Sequence, residues 1–527
     1  MIDADGRTTL SLKEAIALGM TPAVHARRSP ERPAILSPLG DRTFDQLNAR
    51  ANQLARALRG RGLGPGDAIA LLAANRPEFV EVYAASVRAG LRVTPINWHL
   101  TGEEVGYIVA NCEASAFFAD ARFESTAQEA ARLAPLAKFN VSLGGAIEGF
   151  ESYQDLFSGQ PSHDLEDPVL GSSMLYTSGT TGRPKGVYRR KQPPAALLPP
   201  LLESARFSPA DDLALCTGPL YHAAPLALNL QLPLAAGVGV LLMDRWDAEE
   251  TLRLIDVHRI THTHLVPTMF HRLLHLPEEV RGRYDVGSLR WVLHGAAPCP
   301  VHVKRAMIEW LGPVIFEYYA ATEGGAFFID SHEWQRKPGS VGRLGGSQEV
   351  RLVDETGEPV DRGEIGTVYF KAPEVGRFEY FKAPEKTTSA YRGDFFTMGD
   401  MGYLDEEDYL FLTGRSAELI ISGGVNVYPA EIDAVLLMHP AVADVATVGV
   451  PSEEWGEEVK AVVLPAADAS IGDDLAQELL EHCRTHLAHY KCPRSVDFAD
   501  ELPRLPTGKI QRRRVRERYW ADQSGQI

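Results

Sequence analysis

Cysteine, basic charge and long apolar runs are all scarce in this sequence. Five cysteines are spread over 527 residues and form no Cys-x-x-Cys pair, which argues against a disulfide framework and against a zinc site. The net charge is −17, from 53 basic and 70 acidic side chains, which argues against a general binder of nucleic acids or anionic membranes. A phosphate-bearing ligand would therefore need a local basic site. A reducing cytoplasm fits this use of cysteine.

The N-terminus starts with acidic residues and lacks the basic-then-apolar order of a secretion signal, so we expect a cytoplasmic protein. The most apolar stretch, LALNLQLPLAAGVGVLLM at 226–243, is interrupted by Asn229, Gln231 and Pro233. A membrane-spanning helix needs about 20 predominantly apolar residues. We therefore predict a buried helix followed by a buried strand here, and no integral membrane segment.

Strand and helix patterns alternate along most of the chain. The run DAIALLAAN is typical of a buried strand, RPEFVEVYAASVRAG has helical spacing, and LRVTPIN is again strand-like. This alternation predicts a multi-domain α/β fold with mainly buried sheets in a large N-terminal domain, residues 1–415. Short strands and turns from about 345 to 415 predict a small β-barrel-like section. Residues 418–527 show a separate pattern of strand-like and helix-like stretches, and their number fits a second, smaller α+β domain.

The segment MLYTSGTTGRPKG at 174–186 begins at the end of an apolar, strand-like run. Its glycines let several backbone N–H groups point at one anion, and the hydroxyls of Ser178, Thr180 and Thr181 add donors. Lys185 adds a positive charge, and the combination suits an oligophosphate. The segment is not a Walker A loop, because Pro184 precedes the lysine and a glycine follows it. A flexible surface loop is the alternative for such a stretch taken alone.

This segment resembles the signature of the adenylate-forming superfamily, which includes acyl-CoA synthetases, aryl-CoA ligases, peptide-synthetase adenylation domains and luciferases. Further stretches resemble the other motifs of that superfamily and follow in its order, so the resemblance covers nearly the whole chain. They are HGAAP at 294–298, YYAATEGG at 318–325, the Gly-Asp pair at 399–400, Arg415 in LTGR, the glycine loop SGGVNVYPAEI, and LPRLPTGKIQRR with Lys509.

The resemblance implies a two-step reaction. A substrate carboxylate attacks the α-phosphate of ATP, pyrophosphate leaves, and the acyl group of the acyl-adenylate then passes to a thiol. ATP, Mg²⁺ and coenzyme A are the implied cofactors and co-substrates, and a small carboxylic acid is the implied partner. A free-standing acyl-CoA ligase is the leading hypothesis. An enzyme that loads a carrier protein and an inactive nucleotide-binding homologue are the alternatives. The oligomeric state stays open, with a homodimer among the options.

The matching motifs supply the implied nucleotide-binding residues. The resemblance assigns the phosphates to Ser178, Gly179, Thr180, Thr181, Gly182 and Lys185, the adenine to Ala296, Ala297, Pro298 and Tyr319, and the ribose to Asp400 and Arg415. It also places Thr177, Tyr318 and Ala320 among the ATP- and AMP-binding residues. A carboxylate suits a ribose because it accepts two hydrogen bonds at once. Taken alone, an aspartate in a Gly-Asp turn is commonly structural.

Four residues carry the implied chemistry. Thr322 would bond the α-phosphate, Glu323 would hold Mg²⁺, and Lys509 would reach both the carboxylate and the α-phosphate on its flexible stem. His222, in PLYHAAPLAL, resembles the superfamily's aromatic-histidine motif and would line or gate the acyl pocket. The alternatives are a helix-start cap for the Thr-Glu pair and a solvated charge for a lysine in an arginine-rich tail.

The residues that the resemblance places around the acyl group carry no acidic or strongly basic side chain. They are Tyr221, His222, Ala223, Ala224, Val266, Pro267, His294, Gly295, Ala320, Ala321 and Phe327. This set favours a hydrophobic monocarboxylic acid, whether fatty, aryl or polycyclic. Ala320 stands where the superfamily commonly has glycine, so its methyl group is expected to narrow or redirect the pocket. His262 and His264 alternate on a predicted strand without matching acids or cysteines, so we expect structural histidines rather than a metal site.

Members of the superfamily rotate their small domain about a hinge just after the position of Arg415. That hinge falls here on Ser416 and Ala417, and the alanine stands where the superfamily usually has Asp or Lys, so a side-chain contact is missing. After the rotation, Gly423 and Gly424 would let the backbone approach pantetheine, and Trp455 would contact coenzyme A. Ordinary packing is the alternative for the tryptophan.

Overall fold

A computed structural model describes residues 3, 5–134, 137–177, 184–191, 198–345, 349–422, 425–452, 454–505 and 508–520. The helices within these ranges are α1 (Leu12–Ala17), α2 (Thr21–Arg28), α3 (Phe44–Gly60), α4 (Pro77–Arg88), α5 (Gly102–Asn111), α6 (Glu124–Leu133), α7 (Leu198–Ala205), α8 (Leu232–Ala236), α9 (Ala248–His258), α10 (Pro267–Leu274), α11 (Glu278–Arg281), α12 (Val301–Leu311), α13 (Ser331–Arg336), α14 (Pro384–Ala390), α15 (Pro429–Leu436), α16 (Asp473–His486) and α17 (Arg512–Trp520).

The strands are β1 (Pro33–Leu36), β2 (Arg42–Thr43), β3 (Ala68–Leu72), β4 (Arg92–Ile96), β5 (Ala114–Asp120), β6 (Phe139–Leu143), β7 (Glu151–Ser152), β8 (Ser172–Ser173), β9 (Leu175–Thr177), β10 (Lys185–Tyr188), β11 (Leu213–Cys216), β12 (Gly239–Leu242), β13 (His262–Leu265), β14 (Trp291–His294), β15 (Ile315–Ala321), β16 (Gly324–Asp330), β17 (Ser340–Arg343), β18 (Val350–Val353), β19 (Gly366–Lys371), β20 (Glu379–Tyr380), β21 (Tyr391–Arg392), β22 (Phe395–Leu404), β23 (Tyr409–Arg415), β24 (Ile420–Ser422), β25 (Val425–Val427), β26 (Val442–Ser452), β27 (Gly456–Pro465) and β28 (Ser495–Phe498).

The chain divides into two compact units, each made of three segments. Unit 1 comprises Met1–Leu265, Leu276–Leu293 and Pro373–Ser389. Unit 2 comprises Val266–His275, His294–Ala372 and Ala390–Ile527. The predicted domain boundary at residues 416–417 lies inside the second unit and stays a prediction.

Unit 1 is built mostly on parallel sheets. One sheet has the strand order β7-β6-β5-β3-β4-β8, and another contains the order β14-β13-β11-β12-β1-β2. The predicted strand–helix–strand step is confirmed, because β3 and β4 pair in parallel and α4 connects them. Both strands are buried at every position, as expected where a parallel sheet is covered on both faces. Pro77 is the first residue of this helix, where a missing N–H leaves no hydrogen bond unmade.

The most apolar stretch of the sequence lies in the core of unit 1. A π-helical turn, Pro225–Gln231, continues into α8, and the fully buried β12 follows. The predicted buried helix and strand are therefore confirmed. Among the residues that the structure describes, no helix is both long enough and apolar enough to cross a bilayer.

The two histidines of β13 are core side chains. His262 and His264 are buried, and His262 Nε2 lies 2.7 Å from the carbonyl oxygen of Ala205. The ring of His262 also stacks on Phe207, with 4.3 Å between centroids. Burial lowers the pKa of both imidazoles to about 4, so they are neutral at pH 7 and serve packing, as expected.

Unit 2 is mainly antiparallel. β15 and β16 form a hairpin, and the section predicted to be β-barrel-like forms a sheet of order β17-β23-β22-β19-β18, with β21 paired to β22. This order is open, and no described pair joins β17 to β18. The C-terminal segment adds a sheet of order β25-β24-β27-β26, with β28 parallel to β27, and the helices α15, α16 and α17. This mixture fits the α+β class predicted for residues 418–527.

Candidate active site

The two ends of the glycine-rich segment lie side by side in unit 1. β9 and β10 pair antiparallel, and Thr177 is opposite Lys185. Residues 178–183 lie outside the described residues, so the phosphate-binding roles of Ser178, Gly179, Thr180, Thr181 and Gly182 stay predictions.

A third strand supports Lys185. β20 pairs with β10, and Lys185 Nζ lies 4.9 Å from the centre of the Tyr380 ring. A cation over the negative face of an aromatic ring is attracted by about 0.5–1 kcal/mol at an exposed site. The lysine is therefore held at the base of the glycine-rich segment, where a phosphate-binding role requires it.

In unit 2, one carboxylate binds two of the predicted nucleotide-binding side chains. Asp400 Oδ2 accepts a 2.7 Å hydrogen bond from the Tyr319 hydroxyl, and Oδ1 accepts a 2.9 Å bond from Arg415 Nε. Asp400 is only 8% exposed, so the guanidinium is what makes its burial tolerable. Burial alone would lower the pKa of Arg415, but attraction to Asp400 and Glu418 outweighs it and leaves the pKa above its usual value. Asp400 lies in β22 and is therefore not a residue of an isolated turn.

The ring of Tyr319 is held by two phenylalanines. Its centroid lies 6.2 Å from that of Phe327, nearly parallel, and 5.8 Å from that of Phe370. Burial, and then the charge of Asp400, raise the pKa of Tyr319 far above its usual value, so the phenol stays a hydrogen-bond donor. Phe327, predicted to line the acyl pocket, is buried on the strand opposite Tyr319.

Thr322 and Glu323 form the turn between β15 and β16. The alternative of a helix-start cap is therefore wrong. The turn needs the glycines that follow it, because Gly325 has a φ of 69° and a Cβ there would lie 2.8 Å from the Phe370 ring. The Thr322 hydroxyl and the Glu323 carboxylate thus lie at the end of β15, the strand that carries Tyr319. Ala320 and Ala321 separate Tyr319 from this turn.

The loop 295–298, predicted to face adenine, is strained and closely packed. Ala296 has a φ of 69°, and a residue with a Cβ pays about 1–2 kcal/mol for that left-handed conformation. A Cβ on Gly295 would lie 2.5 Å from the carbonyl oxygen of Tyr318, so only glycine allows this approach. Ala297 is partly buried, whereas Ala296 and Pro298 are exposed. Backbone strain of this kind is found preferentially at ligand sites.

Lys509 lies close to the Asp400 cluster in unit 2. Its ammonium interacts electrostatically with Arg415, Glu418 and Asp400. Burial and, second, the positive charge of Arg415 lower the pKa of Lys509 from 10.5 to about 8. The alternative of a fully solvated charge does not fit this position.

The residue before Lys509 packs on α10. Gly508 has a φ of 80°, and a Cβ there would lie 2.3 Å from Thr268 Oγ1 and 3.5 Å from Val266 Cγ2. Val266 and Pro267, both predicted pocket residues, are the N-cap and the first residue of that helix and are buried. The lysine segment and these pocket residues therefore meet at one helix terminus.

In unit 1, the aromatic-histidine motif joins an aromatic group. The Trp98 ring lies parallel to Phe123 at 5.2 Å and edge-on to Tyr221 at 6.5 Å, and Tyr221 lies 4.5 Å from His222. Tyr221 Oη and His222 Nε2 are buried, and neither has a hydrogen-bond partner in the described structure. Burial lowers the pKa of His222 to about 4, so the imidazole is neutral. The partly buried Ala223 and Ala224 follow.

Three of the predicted hinge and coenzyme A residues, Ser416, Ala417 and Trp455, are on the surface. Ser416 and Ala417 are exposed in a single 3₁₀ turn, Ser416–Glu418. Trp455 is 37% exposed, and the guanidinium of Arg494 lies 4.7 Å from the centre of its ring, so it is not a core tryptophan. Gly423 and Gly424 lie outside the described residues.

Sequence reasoning missed several residues near the predicted ones. Trp98 lies two residues after the parallel strand β4 and Phe123 three residues after β5, so the rule that ligands bind at the carboxyl ends of parallel strands could have found them. Glu317 is also unpredicted. His294, expected in the acyl pocket, is fully buried with Nε2 3.6 Å from Glu317 Oε2. A single acid in a strand carries no sequence signal for such a partner.

Comparison with known proteins agrees with these motifs. A sequence model of the family described as AMP-binding enzyme matches residues 23–378, and that of the AMP-binding enzyme C-terminal domain matches residues 431–509. An indoleacetate–CoA ligase of Aromatoleum aromaticum is 34% identical over 500 residues, which cover 94% of this chain and 96% of that protein. A feruloyl-CoA synthase of an Amycolatopsis species is 34% identical over 505 residues, which cover 95% of this chain and 99% of that protein.

A solved structure is similar over nearly the whole chain as well. The crystal structure of the anthranilate CoA ligase AuaEII in complex with anthranoyl-AMP has a TM-score of 0.84 at 26% identity, covering 97% of this chain and 99% of that one. The chain belongs to the AMP-binding enzyme family. The predicted membership of the adenylate-forming superfamily and the predicted multi-domain α/β fold are confirmed.

Proposed function

We propose that this protein is an ATP-dependent acyl-CoA ligase that activates a hydrophobic monocarboxylic acid as acyl-AMP and passes the acyl group to coenzyme A. One observation carries the proposal. Asp400 binds both Tyr319 and Arg415, and Lys509 lies within electrostatic reach of the same carboxylate. The similarity to two CoA ligases at 34% identity supports it.

The first step brings two anions together. A carboxylate and ATP repel each other, so the site has to supply positive charge and fixed donors where charge grows on the α-phosphate. We assign the charge to Lys509 and a fixed donor to the Thr322 hydroxyl. Lys185 and the glycine-rich segment hold the pyrophosphate that leaves. Asp400 accepts from the ribose hydroxyls with the lone pairs that Tyr319 and Arg415 do not use.

The residues present fit Mg²⁺. Proteins usually bind this ion through one or two carboxylates together with phosphate oxygens of the substrate, and Glu323 supplies one carboxylate beside Thr322. Over the described ranges, no group of three or more His, Cys, Asp or Glu side chains could hold a metal by itself. Glu323 would hold the ion together with phosphate oxygens of ATP, and the bound ion would supply neutralisation of the phosphate charge.

Coenzyme A needs a surface for its nucleotide and a path for its thiol. Trp455 offers an exposed ring with the Arg494 guanidinium beside it, which suits an adenine ring and a phosphate. We propose that residues 418–527 turn about Ser416 and Ala417 between the two steps, so that Gly423 and Gly424 replace Lys509 beside the adenylate.

Among hydrophobic acids, we propose an aryl acid. Trp98, Phe123 and Tyr221 form an aromatic group next to His222, and aromatic side chains favour packing against a substrate ring. The neutral His222 and the Tyr221 hydroxyl are the polar atoms left for a substituent of such a ring or for the carboxylate.

Carboxylate-dependent ATP–pyrophosphate exchange tests the function. The panel contains indoleacetate, ferulate, a hydroxybenzoate and a long-chain fatty acid, and coenzyme A or a holo-carrier protein is added afterwards. We expect exchange with an aryl acid and formation of its CoA thioester. Exchange without a thioester on coenzyme A would favour the carrier-protein alternative, and no exchange with any acid would favour an inactive homologue. A preference for the fatty acid would overturn the aryl assignment alone.

The pKa of Lys509 predicts the pH dependence of the first step. The side chain has to be protonated to attract both anions, so kcat/KM for adenylation should fall above about pH 8. Between pH 8 and 10.5 the unfolded chain holds a proton that the folded chain has lost, so the contribution of this residue to stability rises with pH. A Tm measured at each pH separates loss of activity from unfolding. In Lys509→Arg the fall of kcat/KM above about pH 8 should disappear, because arginine stays protonated. A wild-type profile that stays flat to pH 9.5 would contradict the assignment.

Ala417→Pro tests the hinge. Proline fixes φ near −65° and removes the backbone N–H, so it should trap one orientation of the C-terminal segment. We expect one half-reaction to slow by about tenfold or more while the other is kept. Ala417→Gly is the matched control and should slow neither. If the proline variant also slows neither, the hinge lies elsewhere.

A further inference from the structure

A buried ion pair lies next to loop 295–298, which is predicted to face adenine. Lys304 of α12 is fully buried at 0% exposure, and its Nζ lies 2.5 Å from Glu317 Oε2 on β15, itself 7% exposed. The ammonium also lies 4.7 Å from the ring centre of the buried Trp334. No step of the proposed reaction uses either charge.

Buried charges of this kind need an explanation. Burial lowers the pKa of Lys304 and raises that of Glu317, so each ionised side chain depends on its partner. Apolar residues of similar size often stabilise a fold as well as a buried ion pair does. Stability alone is therefore a weak reason for this pair.

The position of Glu317 relates the pair to the nucleotide site. His294 immediately precedes the strained loop 295–298, and its Nε2 lies 3.6 Å from Glu317 Oε2. Lys304 lies in the first turns of the helix that follows this loop. The residues on both sides of the loop, His294 and Lys304, therefore lie next to the carboxylate of Glu317. Glu317 precedes Tyr319 by two residues, so both side chains lie on the same face of β15.

We propose that Lys304, Glu317 and His294 are positioning residues for nucleotide binding: the ion pair fixes both stems of loop 295–298 and the strand of Tyr319. The left-handed conformation of Ala296 is kept only while its surroundings determine it fully, and the three buried side chains supply that constraint. This inference rests on the proposed function, because it takes the ligand of the loop to be the adenine nucleotide.

Lys304→Met tests the inference, with KM for ATP in pyrophosphate exchange and Kd for AMP from calorimetry as readouts. We expect both constants to rise by about tenfold and kcat to change by less than about threefold. Val303→Ala is the matched control, since Val303 is 3% exposed on the same helix and its truncation lowers the Tm without touching the charges. It should leave both constants unchanged.

The double variant Lys304→Met/Glu317→Leu separates an effect on nucleotide binding from an effect on the stability of the fold. Removing both charges should restore the Tm, because no unpaired charge is left buried, whereas the constants for ATP and AMP should stay raised. Constants restored together with the Tm would overturn the inference, as would an equal rise in Val303→Ala or no AMP binding by the unaltered protein. Calorimetry with AMP requires no carboxylic acid substrate. It therefore tests the positioning role of the ion pair even if no acid supports exchange and the proposed function fails.

Discussion

Lys509→Ala is expected to reduce acyl-adenylate formation by on the order of a thousandfold, while the conversion of supplied acyl-adenylate to CoA thioester changes by less than about threefold. Lys509 is the partly buried cation near Asp400 and Arg415, and its charge is needed only while the carboxylate approaches the α-phosphate. Single-turnover assays of each half-reaction, with purified acyl-adenylate for the second, measure the two effects separately.

Two further variants make this test specific. Lys337→Ala is the control for loss of one positive charge, because Lys337 pairs with Asp405 and Glu407 at the surface. It should leave both half-reactions unchanged. Lys509→Arg should keep part of the first half-reaction, since the charge remains while the geometry changes. Equal losses of both half-reactions in Lys509→Ala would refute the assigned role.

Asp400→Ala is expected to lower kcat/KM for ATP by on the order of a hundredfold. The change removes the acceptor proposed for the ribose and leaves the Arg415 guanidinium without the carboxylate that receives its Nε–H at 2.9 Å. Breaking a buried pair on one side costs about 3–5 kcal/mol, and partial exposure of Arg415 places this site at or below the lower end. ATP titrations of the exchange reaction, together with the Tm, measure the effect.

Tyr319→Phe gives a graded comparison. It removes one 2.7 Å hydrogen bond to Asp400 and keeps the ring between Phe327 and Phe370, so we expect a loss of about tenfold or less. Glu407→Gln, on the turn after β22, is the control and should have no effect on ATP. A larger loss in Tyr319→Phe than in Asp400→Ala would contradict the central position of the carboxylate.

Local sequence patterns predicted those helices and strands whose formation depends on residues adjacent in sequence. The step β3-α4-β4 follows from apolar spacing and from Pro77, and the buried strand β12 follows from its apolar run. The bond between Tyr319 and Asp400 joins residues 81 positions apart, and no local pattern contains it. The order of the motifs that contain Tyr319 and Asp400, together with the resemblance, suggested that both residues belong to one site. The hydrogen bond between them depends on how β22 packs near β15.

Other features had no sequence signal at all. The positive φ of Ala296 could not be predicted from its residue type, because alanine itself disfavours that conformation. The close approach of Gly295 to Tyr318 likewise joins segments that are distant in sequence. Lys304 appears in an amphipathic helix and would ordinarily be expected at the surface. Its complete burial depends on Glu317 and Trp334, which come from other elements. Interactions over long sequence distances therefore decide the parts of the site that motifs do not describe.

The third strand of the small sheet in unit 1 has a consequence for synthesis on the ribosome. β20 supports Lys185 from residues almost two hundred positions further along the chain, and Arg190 pairs with Glu379 across 189 positions. At about 5–20 residues per second, roughly 10–40 seconds separate the emergence of the two strands. The nascent chain thus carries its glycine-rich segment unsupported for that time, and only a polypeptide extended beyond Tyr380 has the complete base on which that lysine rests.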